Sequence, residues 1–319
     1  TRLNVPQFNW GYDPQNFNCP EGSYSTNPYD GRARVAEFKR LVHALHCQGI
    51  RVIMDVVYNH TYATADSPFN KIFNKYYYRL WGENGEYFSN GSGCGNEIAT
   101  ERFMVRKYII DSLVYWATEY KIDGFRFDLM GLYDIETMNK IDETLHAINP
   151  DIILYGEGWI GGDSPLADSK RAMKLNARHT PNIAFFSDDF RDTIKGNNFE
   201  NRSRGYVNGA TGSEEYVKEV MCGRIPHPQI PNLTKFAWTL SPCQTVNYVE
   251  AHDNLTLWDK LIYTPPIPLT HERKWIKWLL PAYSLLRAYP LFRQVRIFCA
   301  QSLSQVVHMT TTATILPMR

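Results

Sequence analysis

The sequence predicts an α/β fold built on parallel strands, because short apolar runs alternate with helical patterns. Four runs are rich in β-formers and largely lack polar alternation, as expected for strands covered on both faces: residues 50–60, 122–128, 151–159 and 245–254. A weaker fifth run spans residues 182–189. A strand–helix–strand order of this kind predicts parallel pairing through right-handed crossovers.

Helical patterns precede the first three runs. The first is ended by Gly49 and the third by Pro150. Their apolar positions are, in chain order, Val35, Phe38, Leu41, Val42 and Leu45; Met104, Tyr108, Leu113 and Trp116; and Ile135, Met138, Ile141, Leu145 and Ile148. Segments 62–96 and 160–179 are longer than usual connections, and long loops after parallel strands commonly build substrate sites.

Composition indicates an ordinary globular protein. Of the 319 residues, 44% are apolar and 21% are charged, and the net charge of +1 gives no reason to expect nucleic acid as a partner. No apolar run reaches the ~20 residues of a membrane span. The 14% of aromatic residues fits either a large core or a surface that stacks on sugars.

Six cysteines lack the paired short spacing of a zinc or dithiol redox site. They are Cys19, Cys47, Cys94, Cys222, Cys243 and Cys299. We expect them to be small buried residues rather than a disulfide framework.

The run "IDGFRFD" places two opposite charges within an apolar strand. Arg126 and Asp128 are two positions apart, so they share one face, and the cation should favour ionised Asp128. An ionised carboxylate at a strand end suits a nucleophile or a cation stabiliser. A buried ion pair without a catalytic role explains this strand equally well.

Glu157 ends the third run between Gly156 and Gly158, with Trp159 next. Little side-chain bulk shields its carboxyl, and a partly desolvated glutamate can stay protonated as a general acid. The alternative is a carboxylate that caps a helix or pairs with a lysine.

Further polar residues follow the other runs. Asn59 and His60 end the first run, and His252, Asp253 and Asn254 end the last. Each alone is more often an ordinary satisfied polar residue, but parallel strands present their carboxyl ends at one edge, where active sites form. No competing nucleophilic triad, phosphate loop or metal cluster is evident, and paired carboxylates fit glycoside hydrolysis.

Several spaced motifs carry a family resemblance. "DVVYNH", "GFRFDLMG", "YGEGW" and "VEAHDN" occur in that order, with "NWGYDP", "NGSGCGNE" and "FSDDFRDTIKG" beside them. With these motifs the sequence resembles the α-amylase superfamily of glycoside hydrolases, family 13, and within it the type I pullulanase branch.

The resemblance implies a (β/α)8 TIM barrel and retaining endo-hydrolysis of α-1,6 branch linkages in pullulan, amylopectin and related α-glucans. It implies Asp128 as nucleophile, Glu157 as general acid/base and Asp253 as transition-state stabiliser. The substrate-binding residues that it implies are Trp10, Tyr12, His60, Arg126, Trp159, His252 and Asn254. No cofactor is required, although the family is compatible with calcium near Asn59. We expect an α-glucan polysaccharide or oligosaccharide as partner, no nucleic acid or membrane, and a monomer.

Both ends fit the family pattern poorly. The first two barrel strands are absent and the eighth is doubtful, so we expect a partial catalytic barrel in residues 1–280 and an aberrant tail in 281–319. A shifted reading frame would explain that tail; an unusual genuine C-terminus is the alternative. Because an open barrel leaves strand edges unpaired, we expect the chain alone to be unstable and weakly active or inactive. Cytoplasmic and secreted locations both stay open.

Two rival functions remain. An isoamylase-like or α-1,4-acting relative is one, and "NWGYDP" speaks against it. A non-catalytic glucan-binding relative is the other, although such proteins usually lose an acid or nucleophile that is present here. A barrel with a purely structural role is the residual alternative.

Overall fold

A computed structural model describes residues 10–230, 237–264 and 314–317. The chain divides into two compact units, which are described separately. The first comprises Thr1–Ile183 with Val307–Arg319, and the second comprises Ala184–Val306. The predicted boundary between residues 280 and 281 lies outside the described residues and stays a prediction.

The first unit contains alternating strands and helices. In chain order its elements are α1 (Gly31–Cys47), β1 (Ile50–Val56), α2 (Pro68–Ile72), β2 (Leu80–Trp81), β3 (Tyr87–Phe88), α3 (Phe103–Glu119), β4 (Gly124–Phe127), α4 (Ile135–Ile148), β5 (Ile153–Gly156) and β8 (Thr314–Pro317). The three predicted helices and the first three predicted strands are therefore all present.

The sheet of this unit is built on parallel pairs. β4 lies between β1 and β5 and is parallel to both, with Arg126 in register with Asp55 on one side and Tyr155 on the other. This confirms the predicted α/β class with parallel strands. β8, within the predicted aberrant tail, pairs antiparallel with β1; the shifted reading frame stays a prediction.

The helices form where apolar spacing and end signals agree. The side chain of Asp134 caps α4 by accepting a hydrogen bond from the Thr137 N–H, and Met138, Ile141 and Leu145 are fully buried along one face. α1 is followed by Gly49 at φ +70°, a left-handed conformation that glycine adopts readily.

The second unit has its own elements: β6 (Ala184–Ser187), α5 (Asp188–Lys195), α6 (Glu214–Met221), β7 (Thr245–Asn247) and α7 (Leu257–Tyr263). β6 and β7 are parallel, which confirms the remaining two predicted strands. A compact apolar core holds the helices together; its buried members are Phe190, Ile194, Val207, Val220 and Val249.

The prediction of buried cysteines is wrong. Cys19, Cys47, Cys94 and Cys243 are exposed, Cys222 is half-buried, and all five are free thiols, while Cys299 lies outside the described residues. These cysteines lie in loops and at helix ends rather than on the apolar faces that form the core. No helix in the described ranges is long and apolar enough to cross a membrane.

Candidate active site

Three strand ends of the first unit bring the predicted polar residues together. Asp128 follows β4 directly, Glu157 follows β5 directly, and Asn59 and His60 lie just beyond β1. The strands themselves are shorter than the predicted runs, and the polar residues lie after them, directly for Asp128 and Glu157 and two residues further on for Asn59. Glu157 and His60 are buried, whereas Asp128 is half-buried.

Arg126 links the carboxylates at this edge. Its Nη1 lies 2.9 Å from Asp128 Oδ1 and 2.9 Å from Asp55 Oδ1, and its Nη2 donates to Glu157 Oε1. Burial alone would lower the pKa of the guanidinium, but the charges of Asp55 and Glu157 raise it well above its usual value. A permanent cation in an otherwise apolar strand thus holds three acidic groups in fixed positions.

Asp55 belongs to this cluster although the sequence reasoning did not single it out. Its carboxylate also accepts a 2.6 Å hydrogen bond from the Tyr12 hydroxyl, and the Arg126 guanidinium lies 5.8 Å from the Tyr12 ring centroid. Burial chiefly raises the pKa of Asp55, and Arg126 opposes that rise. The overlooked signal was a lone carboxylate within an apolar strand that pairs with the strand of Arg126.

Asn59 joins the nucleophile candidate to His60. Its Nδ2 donates to Asp128 Oδ2 (2.7 Å) and to the Asp128 carbonyl (2.8 Å), so its oxygen faces His60 Nδ1. That oxygen only accepts, which places the proton of neutral His60 on Nδ1. Burial lowers the pKa of His60, with Asp128 and Asp13 opposing, so the neutral form is favoured. His60 Nε2 is then an acceptor.

The side chain of Glu157 accepts at both oxygens. Besides Arg126 at Oε1, the main-chain N–H of Leu129 donates to Oε2 at 3.0 Å. Donors to both oxygens favour the ionised carboxylate and oppose the effect of burial. The protonated resting state expected from the sequence therefore stays a prediction.

Leu129 adopts an unusual backbone conformation directly after Asp128. Its φ of +40° and ψ of +50° are left-handed, which costs a residue with a Cβ about 1–2 kcal/mol. Strain of this kind persists where the surrounding structure fixes the backbone, and it concentrates at functional sites. No sequence signal pointed to it, since leucine is not favoured in this region.

Two long loops are locked together beside the site. Buried Glu97 accepts hydrogen bonds from Ser89 Oγ (2.6 Å) and the Gly91 N–H (3.2 Å), and it pairs with Arg79. The carbonyl of Gly91 accepts from the N–H groups of Gly161 and Gly162 at 2.9 and 2.8 Å. These bonds anchor the segment that follows Trp159.

The predicted stacking residues differ in exposure. Trp10 is 46% exposed, while Tyr12 and Trp159 are half-buried. The Tyr12 hydroxyl is held by Asp55, so only its ring is available for a sugar. Stacking by all three stays a prediction.

His252, Asp253 and Asn254 belong to the second unit. His252 is half-buried, with its Nε2 3.6 Å from Asp253 Oδ1, and Asp253 and Asn254 are exposed. Asn254 has a left-handed φ of +63°. The convergence of Asp253 with the other two carboxylates stays a prediction.

The described residues contain no group of three or more His, Cys, Asp or Glu side chains suited to a metal. Arg126 already supplies a cation between Asp55, Asp128 and Glu157, and Asn59 offers its oxygen to His60. Calcium near Asn59 stays a prediction.

Comparison with known proteins identifies the family. No protein-family model matches the chain. A pullulanase of Bacillus subtilis (strain 168) is 43% identical over 81% of this chain and 35% of its own length. The crystal structure of a Paenibacillus barengoltzii pullulanase complexed with maltohexaose and α-cyclodextrin matches with a TM-score of 0.80 and 47% identity, over 86% of this chain and 41% of that one.

The chain belongs to the pullulanase family. It spans about a third of the length of the Bacillus subtilis pullulanase. A more distant relative, isoamylase SU1 of Zea mays, is 31% identical over 82% of this chain and 34% of its own length. The α/β fold with a parallel sheet is that of the pullulanase structures.

Proposed function

We propose that this chain carries the catalytic site of a debranching enzyme that hydrolyses α-1,6 linkages within pullulan, amylopectin and related α-glucans. The observation that carries the proposal is the Arg126 guanidinium, which contacts Asp128 and Glu157 at the carboxyl ends of two adjacent parallel strands. The similarity to pullulanases, one of them complexed with maltohexaose, supports an α-glucan substrate.

Paired carboxylates perform this hydrolysis in two steps. Asp128, ionised beside Arg126, attacks the anomeric carbon while Glu157 donates a proton to the glycosidic oxygen, whose bond to that carbon breaks. Glu157 then takes a proton from water, and the water oxygen displaces Asp128 from the sugar. The two inversions retain the anomeric configuration.

The remaining predicted residues act on the bound sugar. Asp253 stabilises the positive charge that develops at the anomeric carbon, and Arg126, His60, His252 and Asn254 hold that sugar. Trp10, Tyr12 and Trp159 stack on neighbouring glucose rings. The tautomer fixed by Asn59 makes His60 Nε2 an acceptor for a sugar hydroxyl.

We also propose that the parallel strands belong to a partial (β/α)8 barrel within residues 1–280. The βα order and the placement of polar residues after each strand support this architecture. That the protein acts as a monomer, and requires no cofactor, belongs to the same proposal.

Product analysis tests the function. Incubation with pullulan should release maltotriose, because α-1,6 cleavage separates its maltotriosyl units. An α-1,4-acting enzyme would release other products, and the higher identity to pullulanase than to isoamylase favours the first outcome. Asp128→Asn should abolish turnover and retain glucan binding, whereas a binding protein would show no turnover to lose.

A further inference from the structure

Every polar group of Glu157 bonds to one short segment, residues 126–131. Its N–H donates to the Phe127 carbonyl (3.1 Å), and its carbonyl accepts from the Gly131 N–H (3.0 Å). Its side-chain oxygens accept from Arg126 and from the Leu129 N–H. The same segment contains Asp128, so one turn fixes both carboxyl groups relative to each other.

The left-handed backbone conformation of Leu129 directs its main-chain N–H toward Glu157 Oε2. Bonds on either side hold the turn: the Asp128 N–H donates to the Val56 carbonyl (3.0 Å), and the Leu132 N–H donates to the Leu129 carbonyl (2.9 Å). Asn59 Nδ2 also donates to the Asp128 carbonyl, the other half of the Asp128–Leu129 peptide. This peptide is therefore fixed at both its oxygen and its nitrogen.

We propose that Leu129 is a positioning residue, whose main-chain N–H stabilises the Glu157 carboxylate that forms as the leaving sugar is protonated. The inference rests on the proposed function. As the proton passes from Glu157 to the glycosidic oxygen, the electron pair of the breaking C–O bond stays with that oxygen, and Asp128 forms the new bond to carbon. Glu157 gains negative charge in that step, so a fixed donor at Oε2 stabilises the transition state more than the protonated ground state.

The test replaces the Leu129 amide with an ester, which removes the N–H and keeps the side chain. The matched control is the same replacement at Leu132, which removes a hydrogen bond within the same turn but not one to Glu157. Leu129→Asn is the second control, because it keeps the N–H and asparagine tolerates left-handed backbone.

Two substrates separate acid catalysis from general damage. Pullulan needs a proton on its leaving oxygen, whereas α-maltotriosyl fluoride releases fluoride without one. We expect the Leu129 ester to lower kcat/KM on pullulan about tenfold relative to that on the fluoride, the effect of losing one hydrogen bond to a charged group. Both controls should keep the wild-type ratio.

A second readout does not depend on activity. The carboxyl resonance of 13C-labelled Glu157, assigned with Glu157→Gln, is titrated in each variant. Loss of a hydrogen-bond donor to the charged form raises the pH midpoint at which Glu157 titrates. Arg126 on β4 still faces the Glu157 carboxyl in the variant, and it also pairs with Asp55 and Asp128. A raised midpoint in the Leu129 ester alone supports the inference, and an unchanged midpoint overturns it. Should a folded wild-type chain cleave neither substrate, the proposed function fails, while the titration still decides whether the Leu129 N–H stabilises the Glu157 carboxylate.

Discussion

The hydroxyl of Tyr12 donates a 2.6 Å hydrogen bond to Asp55 Oδ2 across 43 positions of sequence. The other oxygen of Asp55 accepts from Arg126, which also contacts Asp128 and Glu157. One buried carboxylate thus connects the segment of Trp10 and Tyr12 to the cation of the candidate site. That segment therefore helps to hold the candidate site in place.

Tyr12 and Asp55 should therefore be energetically coupled. In a double-mutant cycle with Tyr12→Phe and Asp55→Asn, we expect a coupling of about 1–2 kcal/mol in the free energy of unfolding, because the bond is partly buried and involves an acidic group. Urea-induced unfolding of the four proteins measures it. Tyr29→Phe removes a hydroxyl from an exposed tyrosine and should not couple to Asp55→Asn. If the effects of Tyr12→Phe and Asp55→Asn on the free energy of unfolding are additive, the predicted coupling between the two residues is contradicted.

Buried His60 should make stability depend on pH. Burial lowers its pKa in the folded protein, so the unfolded chain takes up a proton first as pH falls below about 6.5. Wild-type stability should therefore decrease between about pH 6.5 and the lowered folded-state pKa, and His60→Gln should remove part of that decrease. Urea unfolding at several pH values measures the difference. Parallel pH curves for the two proteins would show that the prediction is wrong.

Buried Lys195, in the second unit, should also make stability depend on pH. Burial chiefly lowers its pKa to about 8, and Arg191 adds repulsion. Between that value and the ~10.4 of an unfolded lysine, the unfolded chain binds more protons, so rising pH favours the folded state. Stability of the wild type relative to Lys195→Met should increase from pH 8 to 10. A constant difference would be inconsistent with a lowered pKa.

Gly131 should not accept a larger residue. A Cβ there would meet the Trp159 carbonyl and lie 2.7 Å from Met173 Sδ. We expect Gly131→Ala to lower the free energy of unfolding by about 1–3 kcal/mol and to reduce pullulan cleavage, since the turn that holds Glu157 must shift. Gly31→Ala is the control, because a Cβ at this helix start meets nothing. Equal stability and activity of both variants would contradict the tight packing.

Much of the first unit could be predicted because the spacing of apolar residues agrees with the residues that begin and end its helices. Helix α4 has both a cap at Asp134 and buried residues at helical spacing, and parallel strands covered on both faces are short apolar runs without alternation. The placement of Asp128 and Glu157 followed from their positions directly after two such strands. The contacts of Arg126 could be predicted only in part. Its pair with Asp128 follows from their positions on one strand, whereas its contact with Glu157 depends on which strands are neighbours in the sheet.

Other features required the three-dimensional structure. The role of Asp55 depends on the register between β1 and β4, and that of Tyr12 on a contact far along the chain. The left-handed conformation of Leu129 opposes its intrinsic preference, so no propensity could indicate it. The exposure of the cysteines was mispredicted, because the prediction relied on the usual burial of cysteine and not on the positions of these residues in loops and at helix ends.

Covalent trapping tests the central claim most directly. A 5-fluoro-α-glucosyl fluoride forms a slowly hydrolysed ester with the nucleophile of a retaining α-glycosidase, and peptide mass spectrometry locates the modified residue. We predict that the sugar is attached to Asp128 and that Asp128→Asn prevents labelling. Attachment at another residue, or equal labelling of the Asn variant, would contradict the assignment of Asp128 as nucleophile.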